Sequence, residues 1–440
     1  MYIKRKIDLE LLLWKTSKKH KPLLIRGARQ VGKTYTIKEF ARTFESFIEI
    51  NFEENERYRD IFNGSLDPEI LCENISAMFM TSIIPGKTLL FFDEIQSCKN
   101  AIASLRFFYE KLPKLHVIAA GSLLEFALQE IPTFGVGRIR SLFMYPISFP
   151  EFLEGSGHVR LLKLLHTAGP EKPLQNSIHE MLLGLWRKFT ILGGMPEVIS
   201  SFLEGTDLVE CQHLLDDLIL SIKTDFAKYR QKSPVVLLSE VFQAVCSQTG
   251  QKFMYSKASP GTNHAQIKEA LYLLITAGLV IPVVHSPANG LPLGSGANHQ
   301  KQKMLILDTG IFQRILQLDI ASILLPADLS VINNGSLAEL SVALELVKSA
   351  PCYQPAELFY WHREAKSSNA EVDFIISRKG SIIPIEVKSG LKGSMQSMNL
   401  FLKEKKHPRG IRISSENFSA FANIEVYPLY AVDKLVDEDP

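Results

Sequence analysis

The sequence predicts an α/β protein of several modules, on the strength of three observations. Short apolar strands alternate with helical patterns from about residue 21 to residue 150, which is typical of a parallel sheet with helices on both faces. The pattern then becomes almost wholly helical and returns to mixed strands and helices after about residue 300. A chain of 440 residues is also too long for a single core. We therefore expect four segments, which are 1–150, 151–232, 233–300 and 301–440.

Composition and charge are those of an ordinary globular protein. The net charge is only +2, so a partner with phosphates would have to be recognised through local patches. The five cysteines lack C-x-x-C spacing, which favours reduced thiols that pack as small core residues. Because the sequence has no run of about 18 apolar residues and no leader-peptide pattern, we expect a cytoplasmic protein with no membrane partner.

The first predicted strand, Leu23-Leu24-Ile25, leads into a glycine-rich phosphate loop. The loop fits G-x-x-x-x-G-K-[ST] without a mismatch, and the nucleotide-binding residues expected from it are Gly27, Ala28, Arg29, Gln30, Val31, Gly32, Lys33, Thr34 and Tyr35. Backbone N–H groups of such a loop converge on an anion at a helix N-terminus. Lys33 would reach the β- and γ-phosphates, and the Thr34 hydroxyl would hold Mg²⁺. The sequence thus predicts a site for ATP and Mg²⁺.

Four more strands are expected in this segment, at 47–52, 89–92, 117–120 and 141–145. In a parallel sheet the loops that follow the carboxyl ends of the strands lie at one edge. Asp93 and Glu94 follow the third strand, where Asp93 would hold the metal and Glu94 would polarise the attacking water as a general base.

Two further residues of the first segment are weaker candidates for the same site. Ser122 follows the fourth strand and would hydrogen-bond the γ-phosphate or the water, although a serine there can also cap the next helix. Arg138 could meet the γ-phosphate of a neighbouring subunit as an arginine finger. Arg140, or a solvent-facing role for Arg138, would explain the same pattern.

The middle of the chain is predicted to be helical. Residues 151–232 read as a helical lid with a turn at Gly193-Gly194-Met195-Pro196. Two helices at 234–249 and 262–277 and a strand at 279–284 suggest a winged-helix module, with a plain structural spacer as the alternative. The polar stretch 286–302 reads as a linker or mobile loop that marks a domain boundary.

The last segment contains a second set of candidate site residues. The strand period of two puts Glu371 and Asp373 on one face, and it does the same for Glu386 and Lys388 on the next strand. Two carboxylates can bind Mg²⁺ there while a lysine orients water against a phosphodiester. Glu339, on the preceding helix, could add a ligand. A half-exposed hairpin would show the same alternation.

Basic residues cluster near this second set and could contact a nucleic-acid backbone. A solvated surface helix would contain many of the same lysines. The cluster consists of Lys388, Lys392, Lys403, Lys405, Lys406, Arg409 and Arg412.

Taken together, these motifs resemble prokaryotic AAA-like P-loop ATPases of the AAA+ superfamily fused to a C-terminal domain of uncharacterised function with a PD-(D/E)XK, restriction-endonuclease-like fold. The similarity covers nearly the full length. The supporting stretches are residues 26–34, 92–96, 120–122, 145–149, 193–197, 307–310, 334–339, 371–373 and 385–389. The polar stretch 286–302 departs from the tighter connection expected of this architecture.

The resemblance implies ATP binding and hydrolysis at Lys33, Thr34, Asp93 and Glu94, and a winged-helix element in the middle of the chain. It also implies nuclease-type site residues, which are Glu339, Asp373, Glu386 and Lys388.

Two functions compete on these grounds. The leading one is an ATPase whose cycle controls a DNA-directed C-terminal domain with Mg²⁺-dependent nuclease activity. The alternative is a nucleotide-gated DNA- or protein-binding regulatory module whose nuclease-like domain is catalytically silent. A third possibility is that the C-terminal carboxylates are structural and the chain acts only on proteins. An arginine finger at Arg138 would additionally require a homo-oligomer.

Overall fold

The computed structural model describes residues 1–122, 124–129, 137–229, 232–318, 334–364, 369–388 and 395–436. Its strands form two sheets. The first contains β1 (Leu23–Arg26), β2 (Ser46–Asn51), β3 (Thr88–Asp93), β4 (His116–Ala120) and β5 (Arg140–Phe143). The second contains β6 (Val280–His285), β7 (Asn298–Ile306), β8 (Leu358–His362), β9 (Glu371–Arg378), β10 (Ser381–Val387), β11 (Gly410–Ser414), β12 (Ser419–Phe421) and β13 (Ile424–Pro428).

The helices follow the predicted segments closely. Those of the first segment are Lys6–Thr16, Lys33–Ala41, Pro68–Phe79, Lys99–Lys111 and Leu124–Gln129. The helices of the segment predicted to be a lid, which we call the lid helices, are Phe149–Gly155, Val159–Thr167, Asn176–Leu192, Pro196–Leu203 and Leu208–Asp225. The central helices are Val235–Ser247, Tyr255–Ala258 and His264–Thr276, and the later ones are Thr309–Ile315, Asn334–Ser349 and Gln396–Lys405. Short 3₁₀ turns lie at Glu56–Phe62, Ile95–Ser97, Phe226–Tyr229 and Leu429–Leu435.

Side-chain caps fix where several helices begin. Ser148 and Glu151 form a reciprocal capping box at the first lid helix, in which the Glu151 carboxylate accepts from Ser148 N at 2.8 Å. Asp207 accepts from Glu210 N at 2.9 Å, and Asn263 accepts from Ala265 N at 2.8 Å. These polar residues therefore set the helix starts of the lid and of the central segment.

The first sheet has the order β2-β3-β4-β1-β5, and its neighbouring strands are all parallel. The predicted parallel α/β sheet is confirmed. Every residue of β3 and β4 is buried, as expected for strands covered by helices on both faces. Because β4 lies between β1 and β3, the carboxyl ends of these three strands are adjacent. This arrangement places the phosphate loop beside Asp93 and Ser122.

The second sheet has eight strands in the order β12-β13-β11-β10-β9-β8-β6-β7. Strand β6 pairs antiparallel with β7 and parallel with β8, so it is an interior strand of this sheet. The expected boundary between residues 300 and 301 is therefore wrong, because it falls inside β7. An isolated hairpin is only marginally stable, and pairing with β8 satisfies the second edge of β6. The β6–β7 hairpin that follows the central helices is therefore part of the second sheet, and the winged-helix module stays a prediction.

The polar stretch 286–302, expected to be a linker, consists of a loop at 286–297 that packs on the second sheet through two apolar residues and of the first residues of β7. Ala288 and Leu293 are buried against Trp361 and Phe401. The Ser286 hydroxyl donates to Leu293 O at 2.7 Å and closes the loop. These two apolar residues hold the loop against the second sheet. The mainly polar composition of the stretch does not indicate this packing.

One hydrophobic core joins all four predicted segments. A single cluster of buried side chains includes Ile25 of the first sheet, Trp186 of the lid, Val245 of the central helices and Leu344 of the last segment. A second cluster covers the other face of the first sheet. The segments are thus packed into one another rather than strung along linkers.

All five cysteines have free thiols, as expected, and all but Cys72 are buried. Within the described ranges, no helix has both the length and the apolar character needed to cross a membrane.

Candidate functional site

The phosphate loop connects β1 to the helix Lys33–Ala41, as predicted. The Lys33 ammonium is folded back on the loop and donates to Gly27 O at 3.0 Å and to Ala28 O at 2.7 Å. Gly27 has a φ of +145°, and a Cβ there would lie 2.2 Å from Met144 O. Only glycine fits this position, because both the backbone conformation and the close approach exclude a side chain.

Residues from two distant loops meet at the N-terminus of that helix. The Thr34 hydroxyl donates to Asp93 Oδ2 at 2.9 Å, and Asp93 is buried at the end of β3. Burial raises the pKa of Asp93 to about 6, against the hydrogen bond from Thr34. Burial also lowers the pKa of Lys33 to about 8, against the attraction of Glu94 and Asp93. The charges at this site are therefore strongly desolvated.

Glu94 is held by a residue that the sequence did not identify as part of the site. Its backbone is left-handed, with a φ of 47°, and its Oε2 accepts from Gln96 Nε2 at 2.6 Å. The Ser122 hydroxyl approaches the same oxygen at a longer distance, 3.5 Å. A Cβ at Gly121 would lie 2.0 Å from Gln96 Oε1, so glycine makes room for this glutamine. The signal that was missed is a glutamine two residues after the glutamate, in the turn that follows β3.

A cleft of about 550 Å³ opens beside this site, and Lys33, Thr34, Glu94 and Ser122 lie on its wall, whereas Asp93 does not. The predicted residues on its wall are Arg29, Gln30, Gly32, Lys33, Thr34, Tyr35, Glu94 and Ser122. The sequence did not predict Tyr2 and Arg5 from the N-terminal segment, nor Pro196, Glu197 and Ser200 from a lid helix. The centres of the Tyr2 and Tyr35 rings, which both lie on the wall of the cleft, are 5.7 Å apart. These additions belong to no motif, because they enter the site only through the packing of the lid and the first helix.

The back of the phosphate loop contacts the central helices. Gly27, Ala28 and Val31 line a second cavity of about 410 Å³ on the far side of the loop. Gly278, in the turn before β6, lies so close that a Cβ there would be 3.3 Å from Ala28 N. Arg29 forms an ion pair with Asp225 at the end of the last lid helix. The loop is therefore in contact with both the lid and the strand that leads into the second sheet.

Arg138 does not reach the cleft within its own chain. It forms an ion pair with Glu110 on the helix Lys99–Lys111, and it is absent from the wall of the cleft. Its predicted role toward a neighbouring subunit stays a prediction.

The predicted C-terminal residues do lie together, but in a different arrangement from the one expected. Asp373 Oδ2 accepts from Val387 N at 2.8 Å, and Lys388 Nζ lies 2.6 Å from Glu386 Oε1. Glu386 is buried, because β10 lies between β9 and β11 and is covered on both faces. The alternative of a half-exposed hairpin is thus wrong for this strand. Pro384 is tolerated in this interior strand because pairing with β11 begins only at the next residue, Ile385.

A lysine that the sequence did not single out lies among these acids. Lys303 Nζ on β7 is 2.9 Å from Glu339 Oε1 and 2.6 Å from Glu371 Oε1. Burial raises the pKa of Asp373, as does Glu339, whereas Lys303 lowers it. Among the described residues, no group of three or more acidic, histidine or cysteine side chains is placed to hold a metal ion. The predicted Mg²⁺ therefore does not fit this cluster while Lys303 is in place.

The predicted basic cluster is largely engaged with other side chains. Lys405 donates to Asn289 Oδ1 at 2.7 Å, Arg409 pairs with Glu425 at 2.9 Å and Arg412 pairs with Glu416 at 3.1 Å. Lys403 and Lys406 are exposed, and Lys392 lies outside the described residues. The cluster thus offers less free positive charge than the sequence suggested.

Comparison with known protein families divides the chain into three parts. Residues 19–153 match a family model described as an AAA domain. Residues 183–322 and 334–432 match two models described as domains of unknown function, DUF8612 and DUF4143. No curated protein matches the sequence.

Solved structures with similar chains are remote in sequence. A Walker-type ATPase of Pyrococcus abyssi is 15% identical, with a TM-score of 0.44 over 72% of this chain and 96% of the other. The Aeropyrum pernix ORC1 protein in complex with DNA is 12% identical, with a TM-score of 0.30 over 73% and 95%. The S. cerevisiae Hsp104–ADP complex is 12% identical, with a TM-score of 0.28 over 62% and 38%.

Residues 19–153, which match the AAA domain model, include the phosphate loop, Asp93, Glu94 and Ser122. This part of the chain is therefore similar to an AAA domain and contains its phosphate loop.

Proposed function

We propose that the chain binds and hydrolyses ATP in the cleft, and that the nucleotide controls what the C-terminal domain binds. The contact between Thr34 and Asp93, beside the Lys33 ammonium, is the observation that supports the first half most directly. A hydroxyl and a carboxylate at this spacing form the protein's share of a P-loop metal site. The five free thiols suit a reducing, cytoplasmic compartment.

The donor set fits Mg²⁺, which prefers oxygen ligands and keeps waters and phosphate oxygens in its remaining positions. When bound, Mg²⁺ would neutralise charge on the phosphates. The Lys33 ammonium would exchange its hydrogen bonds to the carbonyl groups of Gly27 and Ala28 for hydrogen bonds to phosphate oxygens, because it already lies against the phosphate loop. Glu94 would take a proton from the attacking water, with Gln96 holding its carboxylate in place.

Two substitutions separate binding from hydrolysis. Lys33→Ala should abolish binding of a fluorescent ATP analogue. Glu94→Gln should retain binding but lower the rate of phosphate release by roughly 10²- to 10⁴-fold, the usual contribution of a general base. Glu45→Gln is the control, since Glu45 is exposed and pairs with Lys87 away from the cleft.

If Glu94→Gln hydrolyses ATP at the wild-type rate, Glu94 is not the general base, but the proposal of nucleotide binding is unaffected. Failure of the wild type to bind ATP at all would overturn the whole proposal. If Arg138 acts as a finger, it acts across a homo-oligomer. Sedimentation with and without ATP should then show assembly, and Arg138→Ala should reduce turnover without reducing binding.

Control of the C-terminal domain is supported by the contacts behind the phosphate loop. Gly278 lies against Ala28 and is two residues from the start of β6, an interior strand of the second sheet. Arg29 connects the same loop to the lid through Asp225. A nucleotide that shifts the loop would displace both neighbours, because packed elements transmit small movements.

We further propose that the C-terminal domain binds DNA or protein without cutting it. The ion pair of Lys303 with Glu339 favours this function, because it occupies one of the carboxylates that a nuclease would use for metal. The same ammonium also acts electrostatically on Asp373, another of those carboxylates. DNA binding should fall steeply with salt if phosphate contacts dominate. Binding that depends on ATP, with intact DNA recovered on a gel, is the expected result. If the chain binds neither DNA nor RNA, the expected partner of the C-terminal domain is a protein.

A Mg²⁺-dependent nuclease is the second candidate, and one observation favours it. Glu386 Oε2 is buried and has no hydrogen-bond partner, which is unusual for a carboxylate oxygen and would suit an oxygen that binds a metal ion. Cleavage of DNA or RNA with ATP and Mg²⁺ or Mn²⁺, lost in Asp373→Ala, would establish this activity. It would also overturn the proposal of a silent domain.

A further inference from the structure

Lys303 is one of the most deeply buried charged residues in the described part of the chain. Its side chain is 0% exposed, although it lies on β7, which is an edge strand of the second sheet. The ammonium lies 5.3 Å from the centre of the Tyr360 ring on β8. The lysine therefore extends across the face of the sheet instead of pointing to solvent, and it must find its charge partners inside the protein.

Those partners come from two other elements. Glu339 Oε1 on the helix Asn334–Ser349 accepts a hydrogen bond at 2.9 Å, and Glu371 Oε1 at the start of β9 lies at 2.6 Å. Burial alone would lower the pKa of Lys303, but Glu339, Asp373 and Glu371 together raise it well above its usual value. The lysine thus stays charged at the centre of three carboxylates.

The Lys303 ammonium engages two of the carboxylate oxygens that a divalent cation in this cluster would need. A bound Mg²⁺ or Mn²⁺ would need these oxygens at roughly 2.0–2.2 Å, and the ammonium already lies within 3 Å of two of them. Two cations so close together would also repel each other strongly in a buried site. Lysine and metal are therefore mutually exclusive in this cluster.

We propose that the Lys303 ammonium is the resident cation of the acidic cluster formed by Glu339, Glu371 and Asp373, which includes two of the residues, Glu339 and Asp373, that the sequence pattern predicts to bind a divalent metal. The wild-type cluster is accordingly metal-free. Removing the charge of Lys303 turns the same carboxylates into a site for a divalent cation. This inference does not depend on ATP hydrolysis in the cleft, because it concerns only the second sheet.

The test measures Mn²⁺ binding to the full chain without nucleotide, by the loss of the electron paramagnetic resonance signal of free Mn²⁺. An Asp93→Asn background removes any contribution from the cleft. The parent chain should bind no Mn²⁺ tightly, and Mn²⁺ should not change its Tm. Lys303→Met should lower Tm, because it leaves the buried carboxylates without a cation, and it should gain an Mn²⁺ site that restores Tm.

Two further variants separate this role from a general loss of packing. Adding Asp373→Asn to Lys303→Met should weaken the new Mn²⁺ site by at least about tenfold. Lys301→Met is the matched control on the same strand, since Lys301 is partly exposed and pairs with Glu364. It should change Tm little and should gain no Mn²⁺ site.

Tight Mn²⁺ binding by the parent chain that is lost on Asp373→Asn would overturn the proposal, because lysine and metal would then coexist. A folded Lys303→Met chain that binds no Mn²⁺ would overturn it as well. If Lys303→Met does not fold, the double variant Lys303→Met, Glu371→Gln removes one acid with the lysine and is tested in the same way. If this double variant is folded and binds no Mn²⁺, the proposal is overturned; tight Mn²⁺ binding by the parent chain at Asp373 overturns it whether or not the variants fold.

Discussion

The role of Gln96 makes a quantitative prediction about turnover. Its amide donates to Glu94 Oε2 at 2.6 Å and is the shortest hydrogen bond given to that carboxylate among the described residues. A hydrogen bond to a charged group contributes about 1.5–3 kcal/mol. If the bond orients the general base mainly in the transition state, Gln96→Ala should lower kcat by roughly 10- to 150-fold, since about 1.4 kcal/mol corresponds to a factor of ten.

The assay is steady-state ATP hydrolysis with KM measured beside kcat. KM should change little, because Lys33 and the phosphate loop are untouched by the substitution. Ser97→Ala is the neighbouring control, since the Ser97 hydroxyl faces the exposed Glu53 at 3.3 Å and not Glu94. Its kcat should match the wild type.

A double-mutant cycle supplies the result that would refute this reasoning. In a Glu94→Gln background the base is already lost, so adding Gln96→Ala should have almost no effect on the residual rate. If the second substitution still lowers the rate by the same factor, Gln96 acts independently of Glu94. The structural account of the turn after β3 would then be incorrect.

Two predictions concern stability. Asp308→Asn should lower the free energy of unfolding in urea by about 1.5–3 kcal/mol. The two oxygens of the buried Asp308 carboxylate accept hydrogen bonds from Gly194 N and Ile311 N, and the amide nitrogen of an asparagine cannot accept either of them. Asp207→Asn, at an exposed helix cap, should lower the free energy of unfolding much less. Burial lowers the pKa of His116 to about 4, so the unfolded chain binds more protons below about pH 6.5 and wild-type stability falls as pH drops toward 4. Urea unfolding of His116→Phe should show a weaker dependence over that range, and an identical slope would contradict the assignment.

The parts of the fold that sequence reasoning predicted are those encoded locally. The phosphate loop is recognisable because glycine, lysine and threonine stand at fixed positions between a strand and a helix. The strand Thr88–Asp93 is apolar throughout before it ends in two carboxylates, and it is buried as its composition indicated. Both features depend on residues within about ten positions of each other.

The errors arose where distant segments meet. β6 pairs with β8 across a long stretch of chain, and nothing in either strand specifies that partner. Lys303 reads as a surface residue in a strand, and its burial depends on Glu339, 36 residues away. Gln96 lies only two residues from Glu94 in the sequence, but its contact with Glu94 also depends on the space left by Gly121, in the loop that follows another strand.

The continuous pairing from β7 to β12 also determines how the chain can be dissected. A cut at residue 300 would divide β7 and leave β8 as an exposed edge in one fragment and β6 as an exposed edge in the other. Unpaired apolar edges of this kind promote aggregation. A fragment that begins before Val280 would keep the sheet whole, but it would carry away the turn that contacts Ala28. The first and second sheets are therefore parts of a single folding unit, which no simple truncation separates.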